Sequence, residues 1–251
     1  MSPADHSERR YAIIAAGEGA RLAQEGVAEP KPLVRVAGEP LIDRLIRIFM
    51  AHQATEICVI CRSQMPSVAH HLQQIQRDGL YGQTVPLRVL VKSTPSSMHS
   101  LYELSPWLAQ GWFCATTVDT LFREEEFSDY IGALNTMARL SDGDGLMGVT
   151  GFIDDERPLY VGTDTTGAVT GFHDDRQPDS RWISAGIYGL SPRVIGTLCD
   201  CVKRGEQRMR SFQRAMVADG MRLRAFPFGR VFDIDHAADI DKAERWLSGQ
   251  L

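Results

Sequence analysis

The sequence predicts an α/β fold, a three-layer sandwich whose central sheet is mostly parallel and carries helices on both faces. Three observations support this. Short apolar runs of strand length recur at residues 11–16, 56–61, 87–91 and 111–118. Between them lie stretches with apolar residues at helical spacing, at 40–51, 67–77 and 98–108. That alternation of strand and helix is the pattern of a parallel sheet with crossover helices. Finally, the chain from Gly151 onward changes to short runs broken by turn residues, which predicts a small antiparallel arm added to the main sheet.

The elements follow in order. The run at 11–16 is long enough for one buried strand and too short for a helix. Leu41, Ile42, Leu45, Ile46, Ile48 and Phe49 then mark one face of an amphipathic helix. Strands at 56–61 and 87–91 flank a helix at 67–77, and a polar loop from Ser93 to Ser97 enters the helix at 98–108. The strand at 111–118 delivers the chain to Asp119. A longer helix at 122–140 opens with Arg123-Glu124-Glu125-Glu126; acids there complement the helix dipole, so they form a capping face rather than a site. After a strand at 146–150 come Asp154-Asp155-Glu156 and Thr163-Asp164-Thr165-Thr166-Gly167, turn-rich segments between antiparallel strands. A strand at 182–190 returns to the sheet, and Ser191-Pro192 opens a helix. A helix at 210–218, a strand at 223–228 and a helix at 237–247 complete the chain. No internal repeat, linker or low-complexity tract interrupts it, so residues 1–251 are expected to form a single domain.

Composition bounds the function. With 251 residues, 43% hydrophobic and 24% charged, the chain can bury a large core. A formal net charge of −5 argues against nucleic acid or an anionic membrane as partner. No apolar run approaches the roughly 20 residues of a membrane span. Residues 1–10 are polar and lack the apolar core of a signal peptide, so a cytoplasmic location is expected. Cys58 and Cys61 have metal-ligand spacing, and Cys199 and Cys201 form a second close pair. On a strand, however, residues three apart face opposite sides, which favours buried thiols over a zinc site.

The stretch that points to chemistry is Ala15-Ala16-Gly17-Glu18-Gly19-Ala20-Arg21-Leu22, continued by Pro30-Lys31-Pro32-Leu33. A strand that breaks into Gly-x-Gly turns sharply and lets backbone N–H groups approach an anion. Arg21 adds a planar fork of donors and Lys31 a mobile point charge, so the stretch predicts a polyphosphate cradle. A dinucleotide fingerprint fails because Leu22 stands where the third glycine belongs, and a Walker loop fails because no Gly-Lys pair occurs in the chain.

What remains, G-x-G-A-R-L followed by P-K-P-L, resembles the signature of the sugar-1-phosphate nucleotidyltransferase superfamily, which includes bacterial phosphocholine cytidylyltransferase-like members. Val36-Ala37-Gly38-Glu39-Pro40-Leu41-Ile42 resembles a further segment of that family, as does Ala185-Gly186-Ile187-Tyr188-Gly189-Leu190-Ser191-Pro192. The resemblance implies a Rossmann-like domain with a nucleotide half at about 11–150 and an acceptor arm with closing elements at about 151–251. It also implies that Arg21 and Lys31 are catalytic, that Ala15, Ala16, Gly17 and Gly19 bind the nucleotide, and that Gly186 lies on the acceptor side. Ser97 and Ser100 fall in the loop that contacts base and ribose in relatives; a plain helix cap is the other reading.

Asp119 ends an apolar strand, and in a parallel sheet the carboxyl ends of strands form the ligand crevice. Its segment resembles the family's metal-binding aspartate, with Val118 where glycine is common. Val231-Phe232-Asp233-Ile234-Asp235-His236 resembles the family segment before the last helix, which maps Asp235 onto the second Mg²⁺ ligand. Asp233 is the alternative ligand, helix capping the alternative role for Asp235, and His236 is expected as a helix neighbour rather than a ligand. One family feature is missing: no lysine occurs between Lys92 and Lys203 to meet the acceptor's phosphate. Arg176 is the leading substitute and Arg181 the second.

The resemblance thus implies an Mg²⁺-dependent enzyme that transfers NMP from an NTP to a phosphorylated small molecule, a sugar 1-phosphate first, and releases pyrophosphate. Phosphocholine or another alkyl phosphate is the alternative acceptor. A nucleotide-sugar glycosyltransferase, or a nucleotide-binding protein without catalysis, is the alternative from another class. The expected partners are the two substrates, without nucleic acid or membrane, and a homodimer stays open beside a monomer.

Overall fold

The computed structural model describes residues 9–154 and 157–250. At its centre is β1 (Arg10–Ala15), every residue of which is buried. It pairs in parallel with β4 (Glu56–Cys61) on one side and β6 (Phe113–Thr117) on the other, and β4 pairs in parallel with β5 (Leu87–Val91). Beyond β6 comes β11 (Ser180–Leu190), antiparallel to it, then β8 (Gly145–Thr150) and β12 (Leu223–Phe228), which are parallel to each other. The mostly parallel sheet that the alternation predicts is therefore present, with β11 as the antiparallel insertion.

Period-two alternation along the strands builds two cores. Tyr11, Ile13 and Ala15 face one layer and Ala12, Ile14 and Ala16 the other. The first core packs against α2 (Leu41–Ala51), α3 (Pro66–Asp78), α5 (Glu124–Leu140) and α8 (Ala237–Leu247). The second packs against α4 (Ser97–Leu108), α6 (Val194–Lys203) and α7 (Met209–Ala218). This is a Rossmann-like three-layer sandwich. Aromatic stacking fixes the first core, with Tyr11 on Phe49 at 4.4 Å and Phe122 on Phe127 at 4.7 Å between ring centroids.

Local chemistry explains details of the helices. Pro106 lies inside α4 and cannot donate to the carbonyl of Tyr102; the Ser105 hydroxyl takes that carbonyl instead, at 2.7 Å. The acids that open α5 hold neighbours, as the capping-face reading expects of a structural element. Glu124 receives two bonds from Arg47 at 2.9 Å, and Glu126 accepts the N–H of Gly229 at 2.9 Å.

The arm is the hairpin β9 (Tyr160–Thr163) and β10 (Val169–His173), turned by the Asp164 carboxylate, which accepts from Thr166 N–H at 2.8 Å and Ala168 N–H at 3.0 Å. β11 serves both parts. On one edge its first half pairs with β9 and its second with β6, while β8 pairs along the other edge on both sides of a bulge between Ser184 and Tyr188. Ser191 and Pro192 form the turn just before α6 rather than its first residues. The Asp155 and Glu156 of the expected turn lie outside the described residues.

Several short elements carry too little pattern to be read from sequence. They are α1 (Ala20–Gln24), a 3₁₀ turn at Lys31–Leu33, a hairpin of β2 (Arg35–Val36) and β3 (Glu39–Pro40), and a ribbon of β7 (Thr120–Leu121) and β13 (Phe232–Asp233). Ala37 and Gly38 both have positive φ, which a two-residue hairpin turn of matching twist requires.

The cysteines bear out the strand argument. Cys58 faces the second core and Cys61 the first, and all five cysteines are free. Among the described residues no cluster of three or more His, Cys, Asp or Glu could hold a metal, and no helix is long and apolar enough to cross a membrane. Burial pushes the Cys58 thiol up to about 12 and the Cys61 thiol up to about 11. A chromogenic disulfide reagent at pH 8 is therefore expected to modify one thiol of the native protein quickly, that of the half-buried Cys199. The other four should react only as the protein unfolds. Rapid reaction of Cys58 or Cys61 in the native state would contradict the packing of β4.

Candidate active site at the carboxyl ends of the strands

The site begins where β1 ends. After Ala15 and Ala16 the chain turns through Gly17-Glu18-Gly19 into α1. Gly19 sits in the left-handed region at φ 62°, and a Cβ there would stand 3.0 Å from the Lys31 Cβ. Glycine at that position lets the lysine stem pass directly beneath the loop. A Cβ on Gly17 would meet nothing within 4 Å, so its face of the loop opens onto free space.

Lys31 is buried, and its Nζ bonds two carboxylates, Asp119 and, at 2.6 Å, Asp235. Burial alone would push its pKa down, but the Coulombic pull of Asp119 and Asp235 wins and holds the ammonium above its usual range. Asp119 is the mirror case. Burial would raise it, and Lys31 holds it below the usual carboxylate range.

The two acids come from distant parts of the chain, and the β7–β13 ribbon joins them. Phe232 pairs with Leu121 and Asp233 with Thr120, and the Ile234 N–H donates to the Asp119 carbonyl at 3.1 Å. Asp235 is thereby set beside the end of β6. The Asp239 carboxylate accepts from the N–H of Asp235 at 3.2 Å and of His236 at 2.8 Å, which fixes the backbone at the start of α8. Capping falls to that neighbour, and the Asp235 carboxylate is left to Lys31 and to Arg21, whose Nη1 bonds it at 2.9 Å. His236 is the residue just before α8, as expected. Its Nδ1 lies 2.6 Å from Glu25, which ties α1 to α8. Asp233 accepts from the Thr120 hydroxyl at 3.2 Å.

Two cavities meet at the carboxylates. A cleft of about 910 Å³ is lined by the glycine loop, Arg21, Lys31, Asp119 and Asp235. Ala15, Ala16, Gly17, Gly19, Ser97 and Ser100 all line this cleft, so the structure gathers every residue expected on the nucleotide side. Ser96 caps α4, accepting from the His99 N–H at 3.4 Å, and Ser100 bonds Thr94 at 2.6 Å. A neighbouring cavity of about 350 Å³ shares Asp119 and Asp235 and adds Gly186, Tyr188 and Arg208. Gly186 sits at the bulge of β11 with φ 72°, where a Cβ would stand 2.9 Å from the Thr120 hydroxyl. A further cavity of about 480 Å³ lies at the amino ends of β1 and β6, away from these groups, and no carboxylate among the described residues lines it.

Residues 11–176 match the MobA-like NTP transferase domain family, and that span is more than half of the chain. The chain belongs to this family. Solved structures give the same fold. The inositol-1-phosphate CTP transferase from T. maritima superposes with a TM-score of 0.76 at 17% identity, covering 97% of this chain and 96% of that one. A putative glucose-1-phosphate thymidylyltransferase from Bacillus anthracis gives 0.78 at 17% identity, covering 95% and 94%. In sequence, a glucose-1-phosphate cytidylyltransferase from Salmonella typhimurium is 31% identical over 49 residues, 20% of this chain and 19% of that protein, so the matched segment spans about a fifth of the relative. Membership of an NTP transferase family, with the fold, supports an enzyme of nucleotidyl transfer.

Against that family frame, one expected site residue is placed elsewhere. Arg176 lines an adjoining groove and not the cavity shared by Asp119 and Asp235, and Arg181 lines neither. The cations that do line the shared cavity are Arg157, Arg208 and Arg210. Arg62, bonded to Glu18 at 2.6 Å, lines the nucleotide cleft. Arg62 follows the carboxyl end of β4 directly, a position the crevice rule for parallel sheets would have flagged. The signal for Arg208 and Arg210 was a pair of cations opening a helix, against the dipole.

The lysine–carboxylate cluster makes a pH prediction. Asp119, held low in the folded state, contributes stability above its unfolded value of about 3.9 and loses it as pH falls through the folded value. Lys31, held high, contributes below about 10.4 and loses this as pH rises through its folded value. Asp119→Asn should therefore flatten the acid limb of Tm against pH and cost about 1–3 kcal/mol at pH 7, as the loss of a charged hydrogen-bond acceptor does. Thermal unfolding followed by circular dichroism from pH 2 to 8 reads this directly. Identical acid limbs in parent and variant would mean that the pair does not form.

Proposed function

We propose that this protein transfers the NMP group of an NTP to the phosphate of a phosphorylated small molecule, a sugar 1-phosphate first, and releases pyrophosphate. The observation that carries this reading is the pair of cavities that share Asp119 and Asp235. One has the glycine loop for a triphosphate, the other is lined by arginines that suit an anionic acceptor, and the carboxylates with Lys31 stand where the two ligands would meet.

The residues suit Mg²⁺. Mg²⁺ is usually held by one or two carboxylates with substrate phosphates completing its shell. Asp119 and Asp235 place one oxygen each on a single nitrogen, so they converge closely enough to share an ion. Bound there, Mg²⁺ would neutralise phosphate charge. In this reading Gly17, Gly19 and Arg21 hold the triphosphate, and Lys31 meets the α-phosphate. An oxygen of the acceptor's phosphate attacks the α-phosphorus, the bond to the bridging oxygen breaks, and pyrophosphate leaves with that electron pair. Little proton transfer is needed, so positioning and charge neutralisation carry the reaction.

The arm disfavours phosphocholine. Asp174 and Asp175 are the acids that could face a quaternary ammonium, but both oxygens of Asp174 are engaged, one by Arg210 and one by Arg214 at 2.7 Å, and five arginines line the groove that Asp175 shares. The cations around it repel a positively charged acceptor.

A screen of the four NTPs against phosphorylated acceptors, read by pyrophosphate release, tests the reading. Turnover is expected with Mg²⁺ and to be lost with EDTA. Arg21→Ala should lower kcat/KM by roughly 100-fold, as removal of a preorganised donor to developing charge does, with little change in Tm because the side chain is half exposed. Asp119→Asn and Asp235→Asn should abolish turnover, and Asp233→Asn should matter less. Full activity of Arg21→Ala, or activity indifferent to EDTA, would refute this assignment.

A further inference from the structure

The acceptor-side cavity continues into an outer groove of about 560 Å³, and the two spaces meet at Arg157, Arg208 and Arg210. Arg176 and Arg214 extend the outer wall, with Asp174 and Asp175 as its only acids among the described residues. Five guanidinium groups against two carboxylates form a strong positive patch on a chain whose formal net charge is −5. Asp174 is already shared between Arg210 and Arg214. The side chains of Arg208 and Arg176 make no hydrogen bond or ion pair with the described residues.

The placement of Arg208 and Arg210 is locally unfavourable. Arg208 immediately precedes α7 and Arg210 is its second residue, so both stand at the positive end of the helix dipole. No side chain caps that first turn. Cations gathered against a dipole, and against each other, violate local electrostatics, and such violations mark functional sites. A bound anion would remove the conflict, satisfying the fork of Arg208 and the free N–H groups together.

The acceptor's reacting phosphate would stand beside Asp119 and Asp235, where Lys31 is the nearby cation, while the arginine wall leads from the same cavity into the outer groove. We propose that the acceptor is a phosphorylated acid, whose second anionic group, a carboxylate or a further phosphate, binds Arg208 with Arg157 and Arg210 while its first phosphate faces Asp119 and Asp235. The identity of that first phosphate rests on the nucleotidyl-transfer reading. Sugar 1-phosphates without a second anion then lack a contact that the site is built to make, and discrimination against them follows because Arg208 is left without a counter-charge.

The test uses matched probes that differ only in the second anion, measured by calorimetry on the full chain without nucleotide. Glucose 1-phosphate is compared with glucuronic acid 1-phosphate and with glucose 1,6-bisphosphate, and glycerol 3-phosphate with 3-phosphoglycerate. In at least one series the doubly anionic member should bind about 10-fold tighter or more, as a charge-assisted bidentate contact provides. The carboxylate and bisphosphate arms separate the two sources of the anion. In Arg208→Ala the preference should disappear, and in Arg208→Lys it should return in part, with the far-ultraviolet spectrum confirming the fold of each. Equal affinities within every pair, or no binding of any probe, would overturn the proposal. A preference unchanged in Arg208→Ala would overturn it too. So would an equal loss for singly and doubly anionic members, since Arg208 would then hold the reacting phosphate. Because binding is read without turnover, failure of pyrophosphate release with every NTP would count against the nucleotidyl-transfer reading alone.

Discussion

One ammonium group organises the centre of this molecule. Lys31 is buried beneath the glycine loop, and its charge is tolerable there only because Asp119 and Asp235 both bond it. The converse also holds. Two carboxylates this close would repel each other, and the lysine between them offsets that repulsion. The three residues therefore require one another, and the segments that carry them must be brought to one point. Gly19 lacks a side chain where the lysine stem passes, the ribbon of β7 and β13 sets Asp235 beside the end of β6, and Asp239 fixes the turn into α8.

The sheet was legible from the sequence because its strands are long enough to show a pattern. β4, β5, β12 and α8 fall on the boundaries that the apolar spacing sets, and the other long elements shift by a residue or two. The division of Cys58 and Cys61 between the two cores follows from strand alternation alone. The short elements were not legible. Two-residue strands have no period to read, and β7 and β13 lie far apart in the chain, so only tertiary pairing reveals them. Yet that ribbon is what assembles the site. The glycine loop, Lys31 and both aspartates could be named from motifs, while the reason they meet could not.

The arm marks the other boundary of sequence reasoning. The missing lysine was visible, and its replacement was sought nearby in the chain, at Arg176 and Arg181. The cations that line the cavity come instead from residue 157 and from the start of α7. At the bulge around Gly186 one edge of β11 passes from β6 to β9, while β8 stays paired along the other edge. Gly186 lines the cavity there, and α7 packs across it through contacts such as Gln213 to Ser184 at 2.9 Å. Spatial proximity created by a bulge in one long strand leaves no mark in local spacing.

The charges in the two cavities differ in how they are held. In the nucleotide cleft each named cation is placed against an acid: Arg62 on Glu18, Arg21 on Asp235, Lys31 on both aspartates. A polyanion entering that cleft exchanges one set of ion pairs for another, so the cations are already oriented and the cost of desolvating them is partly met by the fold. Glu18 and Arg21 are largely exposed, with side chains 66% and 51% accessible, which leaves those outer pairs screened and easily exchanged, while Lys31 at 9% is the fixed member. At the arm the order is reversed. Arg208 has no acid against it and stands where the helix dipole opposes it, so there the ligand itself must supply the counter-charge. A cleft that exchanges pairs binds with little dependence on the rest of its ligand, whereas a wall in which Arg208 lacks a counter-charge rewards a ligand that brings a charge to that point, and this difference makes the arm the half of the site where selectivity can reside.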